Sequence, residues 1–105
     1  MRPARVLPQA QLFVCTNSRA ASDPLTSGCG ATGPAVFDAA RALVNAQGRL
    51  RTHWVTRTGC LGQCPRTGCA VALWPSGEQW IEADTNDVAA MVARLCLTAP
   101  NRGEP

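Results

Sequence analysis

The chain has no lysine, no tyrosine and a single histidine, and only 16% of its residues are charged. All ten of its basic side chains are arginines, set against seven acids for a net charge of +3. The arginines are scattered, with no basic run, which excludes a polycationic nucleic-acid tail. The aromatics are Phe13, Phe37, Trp54, Trp74 and Trp80 alone, too few and too spread for a base-stacking platform. No apolar stretch approaches the ~18 residues of a membrane-spanning helix. His53 stands by itself, so a centre needing two imidazole ligands is excluded. No acid, base and nucleophile fall together in a catalytic pattern, and no enzyme is expected. With 105 residues and 46% apolar content, the chain suits one small globular domain.

What is abundant is cysteine: Cys15, Cys29, Cys60, Cys64, Cys69 and Cys96. In an exported chain these would read as disulfides. Met1 to Ala10 carries two Arg and two Pro and has no apolar core of an export signal. The expected setting is therefore the cytoplasm, where thiols stay reduced and serve metals or catalysis.

Hydrophobic periodicity orders the chain. Residues 1–9 are expected to be a flexible tail, 10–98 the domain and 99–105 a second tail. Gln11 to Thr16 reads as a strand around Leu12, Phe13 and Val14. A long irregular stretch follows from Asn17 to Gly33. Pro34 suits a first helical position, and Val36, Phe37, Ala40, Leu43 and Val44 have helical spacing up to Gly48. Leu50 to Thr56 reads as a second strand with Leu50, Thr52, Trp54 and Thr56 on one face, leaving His53 exposed or locally bonded. Thr58 to Gly68 is a second Cys- and Gly-rich loop. Ala70 to Trp74 and Gln79 to Glu82 form a hairpin about Pro75-Ser76-Gly77-Glu78, with Trp74 and Trp80 placed to pair across it. Thr85 is expected to cap a last helix with apolar face Val88, Met91, Val92, Leu95 and Cys96. The order β-α-β-β-β-α, with a right-handed parallel first unit, is that of an α/β thioredoxin-like sandwich: a mixed four-stranded sheet with two helices.

In such a unit the loops after the first two strands leave the same edge of the sheet. Cys15 and Cys29 belong to one loop, Cys60 and Cys64 to the other, so four thiols can converge. Soft thiolates select zinc or an iron–sulfur cluster. Zinc prefers two short knuckles; Cys60 and Cys64 fit one, but Cys15 and Cys29 are too far apart for the other. A binuclear cluster tolerates uneven spacing. Gly28, Gly30, Gly59 and Gly62 flank the cysteines and let backbone N–H groups approach the sulfurs, which raises a cluster's potential. Structural zinc, disulfides and thiol redox chemistry stay open from the residues alone, although the C-x-x-C motif of thiol oxidoreductases is absent. Gly28-x-Gly30-x-x-Gly33 matches a dinucleotide fingerprint in letters only, since it closes a long loop and does not follow a strand directly.

The segments Phe13-Val14-Cys15-Thr16-Asn17, Ser27-Gly28-Cys29-Gly30, Thr58-Gly59-Cys60-Leu61-Gly62-Gln63-Cys64 and Ala70-Val71-Ala72-Leu73-Trp74-Pro75-Ser76-Gly77 resemble the thioredoxin-like [2Fe–2S] ferredoxins. The same domain occurs in a peripheral subunit of NADH dehydrogenases. The resemblance covers roughly residues 11–97. It implies a [2Fe–2S] cluster held by Cys15, Cys29, Cys60 and Cys64, one-electron transfer between redox partner proteins (a reductase and an acceptor), and homodimers in several members. Arg57 and Arg66 flank the cluster loop, either as solvated surface charge or to balance its negative charge and steer acidic partners. Two departures stand out. Pro65-Arg66-Thr67-Gly68-Cys69 replaces the usual short Gly-Pro passage, which makes Cys69 a small core residue, a loop thiol or a further ligand. The chain is also basic where many ferredoxins are acidic. The competing expectation is a non-redox metal-binding module, structural zinc or a sensing cluster, or an accessory subunit of a larger redox enzyme.

Overall fold

The computed structural model describes residues 1–17, 29–62 and 67–97. Its elements are β1 (Ala10–Cys15), α1 (Gly33–Ala46), β2 (His53–Thr58), β3 (Cys69–Trp74), β4 (Gln79–Ala83) and α2 (Val88–Leu97). Single 3₁₀ turns, Cys29–Ala31 and Thr85–Asp87, precede the two helices.

The sheet runs β2-β1-β3-β4. β1 pairs with β2 in parallel and with β3 antiparallel, and β3 with β4 antiparallel. This is the mixed four-stranded sheet with two helices expected from the element order. Leu12, Val14, Val55, Val71 and Leu73 are buried, while their strand neighbours Phe13, Trp54, Thr56, Ala72 and Trp74 are half-buried. The two helices pack on each other and against the sheet, covering the first set with Val36, Ala40, Val44, Met91, Val92 and Leu95.

Local chemistry sets the helix ends. Pro34 falls in the first turn of α1, where its missing N–H costs nothing. At the other end Arg49 N–H donates to Val44 O and Gly48 N–H to Asn45 O, the paired closure of a glycine-terminated helix.

Four local expectations shift. Arg49 to Thr52 forms a turn, with Thr52 and His53 N–H both donating to Arg49 O, so β2 starts three residues late. The turn also inverts the strand's phase: His53 and Val55 are buried, and Trp54 and Thr56 are half-buried on the other face. His53 is enclosed with its Nδ1 2.7 Å from Thr52 Oγ1. Trp80 lies opposite Val71, and Trp74 opposite Gln11 on β1, so the two indoles do not pair across the hairpin. The last helical segment is capped by Asp84 rather than Thr85. Asp84 Oδ1 accepts from Asn86 N–H at 2.8 Å, and Asp84 N–H donates to Asp87 Oδ2 at 3.0 Å, a reciprocal box. The tail expected over residues 1–9 is packed at its end, where Pro8 is buried and Gln9 N–H donates to Thr52 O.

Candidate metal centre

The parallel pairing of β1 with β2 brings their carboxyl ends together. Cys15, the last residue of β1, is in register with Thr58, the last of β2, and Thr16 N–H extends the ladder to Thr58 O at 3.0 Å. Cys60 follows two residues later and is exposed. Cys29 opens the 3₁₀ turn before α1, and the adjacent Gly30 N–H donates to Asn17 O at 2.7 Å. That bond draws the end of the first loop back to the exit of β1. Cys15 and Cys29 are each 1% exposed.

These three thiols form one electrostatic neighbourhood. Burial pushes the Cys29 thiol up to about 11, opposed by a hydrogen bond from Ala70 N–H and reinforced by a hydrogen bond and charge from Cys15 and by charge from Cys60. The Ala70 N–H lies 3.2 Å from Cys29 Sγ, and Gly62 N–H lies 3.2 Å from Cys60 Sγ. Gly62 makes its approach at φ +85°, a conformation natural to glycine. Both N–H groups are oriented to stabilise thiolate over thiol. Gly33, at the start of α1, rests directly on the Cys15 carbonyl, which sets the positive end of the helix dipole beside the end of β1.

Of the expected ligands, Cys15, Cys29 and Cys60 share one edge of the sheet and one electrostatic neighbourhood; Cys64 lies outside the described residues. Among the described residues no three His, Cys, Asp or Glu side chains close around a single metal ion. A [2Fe–2S] cluster takes four thiolates spread over two irons. The buried sulfurs of Cys15 and Cys29 and the exposed one of Cys60, with amide donors on two of them, supply three of the thiols of that donor set.

For Cys69 the structure selects the small core residue among the readings the sequence left open. It opens β3 fully buried, and burial pushes its thiol up to about 12, followed by the charges of Cys29, Cys15, Asp84 and Asp87. It is thus a core thiol beside the centre. The signal lay in topology: β3 runs antiparallel to β1, and the Val14–Val71 pair sets the start of β3 beside the end of β1. Cys96, expected in the core, is half-buried, with its Sγ 3.7 Å from Gln47 Oε1. Arg57 lays its guanidinium over the Phe37 ring, 4.7 Å from the centroid. Arg66 lies outside the described residues.

No protein-family model and no curated protein sequence matches the chain. Solved structures do. The wild-type thioredoxin-like [2Fe–2S] ferredoxin from Aquifex aeolicus superposes with a TM-score of 0.76 at 25% identity, covering 90% of this chain and 92% of that one. The chain has the fold of a thioredoxin-like [2Fe–2S] ferredoxin. A cysteine-to-serine variant of the Aquifex aeolicus protein gives a TM-score of 0.74 at 24% identity, over 91% of both chains. A further structure of a thioredoxin-like [2Fe–2S] ferredoxin from that organism gives 0.74 at 25% identity, over 94% of this chain and 86% of that one. The ferredoxin fold thus spans almost the whole chain, consistent with the resemblance carried by the cysteine segments. Among the described residues no helix is long and apolar enough to cross a membrane.

Proposed function

We propose that this protein is a small electron carrier of the cytoplasm that holds one [2Fe–2S] cluster through Cys15, Cys29, Cys60 and Cys64. The reading is supported by the position of Cys15, Cys29 and Cys60 near the carboxyl edge shared by β1 and β2 in a ferredoxin-like sheet, where they interact electrostatically, with backbone N–H donors on Cys29 and Cys60. When bound, such a cluster supplies a site that gains or loses one electron. The chain's own residues do the rest. Cys15 and Cys29 fix one side of the site in the core. Cys60 forms its solvent side. Ala70 and Gly62 N–H groups offset negative charge on the sulfurs and favour the more reduced state. In this reading the protein transforms no substrate of its own and acts between a reductase and an acceptor.

The test is a visible spectrum of anaerobically purified protein before and after dithionite, with iron and sulfide analysis. Absorption across about 400–550 nm that bleaches on reduction is the expected result. A colourless protein containing stoichiometric zinc overturns the reading. In the same assay Cys15→Ser, Cys29→Ser, Cys60→Ser and Cys64→Ser should each abolish or alter the absorption. Cys96→Ser should leave it intact, because that thiol lies on α2, away from the centre. Retention in Cys29→Ser with loss in Cys69→Ser would overturn the ligand set.

A further inference from the structure

Charge is sorted across the sheet. β2 and β4 are its two outer strands. On the β2 flank stand Arg41 on α1, Arg49 and Arg51 in the turn that follows, and Arg57 on β2, all exposed. Arg41 reaches over the α1–β2 seam, where it lines a cavity of about 290 Å³ with Leu50, Trp54 and Thr56. Arg57 closes the same seam over Phe37. The acid on this flank is Asp38, among the described residues. The β4 flank has the opposite sign: Glu78, Glu82, Asp84 and Asp87, with Arg94 ion-paired to Glu78.

The basic flank also ends at the centre. Arg57 is the last residue but one of β2, three positions before the exposed Cys60. At about 3.3 Å per strand residue, that is about 10 Å of chain, near one Debye length at physiological salt. From Arg57 back to His53 the strand spans about 13 Å, and the turn carrying Arg49 and Arg51 extends the flank beyond it, a scale suited to the small interfaces of transient redox complexes. Guanidinium groups pair with carboxylates in two-bonded geometry.

Resting on the electron-carrier reading above, we propose that the α1–β2 flank is the docking surface for an acidic face of a protein redox partner, which it seats against the Cys60 side of the centre. A nucleic acid would use the same positive charge but has no reason to meet an electron-exchanging site.

The experiment follows the backbone amides of ¹⁵N-labelled, cluster-loaded protein by NMR at low ionic strength. Poly-L-glutamate of about 20 residues is titrated in as the probe, then single-stranded DNA of equal charge; the visible spectrum is read on the same sample. The expected result is that poly-L-glutamate shifts amides of α1 and β2, leaves β4 and α2 still, and is released by salt. Arg51→Gln and Arg57→Gln should each weaken this about two- to fivefold, the scale of one exposed charge pair, while Arg94→Gln leaves it unchanged. Shifts confined to the N-terminal arginines, or tighter binding of DNA at the same flank, overturn the proposal. So do still β2 amides in a protein whose spectrum shows the cluster. Binding at this flank by protein that cannot be loaded with a cluster instead supports the acidic-partner surface and overturns the carrier reading alone.

Discussion

At Gly33 the helix and the thiol site meet. A β-carbon there would fall inside the Cys15 carbonyl. In an ordinary helix interior, Gly→Ala stabilises by about 1 kcal/mol. Gly33→Ala should reverse that sign and destabilise by about 1–3 kcal/mol, because two backbones must part to admit one methyl group. Urea unfolding of the variant should show a lower midpoint, and cluster content should drop with it, since the displaced residue is Cys15. Gly33 was legible as the close of a long glycine-bearing loop, but its reason was not. Contact with a strand that ends eighteen residues earlier is a fact of packing, invisible along the chain. Cys69 is a similar case. The sequence left it between a small core residue, a loop thiol and a further ligand, and the antiparallel return of β3 selects the first by burying it in the electrostatic neighbourhood of Cys29 and Cys15.

The elements were more legible than their boundaries. Apolar spacing locates both helices, and the two-loop logic places the cysteines on one edge because parallel strands must send their exits the same way. β2 was misphased because Leu50 looked like its first inward residue. The turn from Arg49 to Thr52 consumes that leucine and passes the inward role to His53 and Val55. The cap of the last helical segment moved by one residue for a chemical reason: Asp84 and Asp87 satisfy each other's end of the turn, which Thr85 cannot do with the same partner spacing. Asp84→Ala should therefore cost about 1 kcal/mol, read as a lower thermal midpoint. Thr85→Ala should be near neutral by the same measurement.

For the whole molecule, pH acts through the buried histidine at the far end of β2 from the thiol site. Burial, followed by the positive charge of Arg49, lowers the affinity of His53 for a proton. The unfolded chain then binds that proton more readily than the folded one. The contribution of His53 to stability is complete above the ordinary histidine value of about 6.5 and is lost as pH falls below it. Thermal midpoints of the native chain should decline from pH 7 to pH 5, and His53→Gln, which keeps a polar side chain beside Thr52, should flatten that decline. The charge distribution works on the same scale. Opposite signs on the two outer strands give the molecule a dipole across its sheet, which orients an approaching acidic body before contact.

The uneven burial of the thiols has a consequence for lifetime. Cys60 is exposed, whereas Cys15, Cys29 and Cys69 are sealed in the core. Peroxide or an alkylating reagent diffusing in from solvent therefore meets Cys60 long before these three. Among the described thiols of the centre, attack begins on the β2 side, at the rim, and the interior sulfurs are reached only after the fold opens. Wear on such a protein is a surface event first and a core event second, and the number of blocked thiols counts how far it has gone.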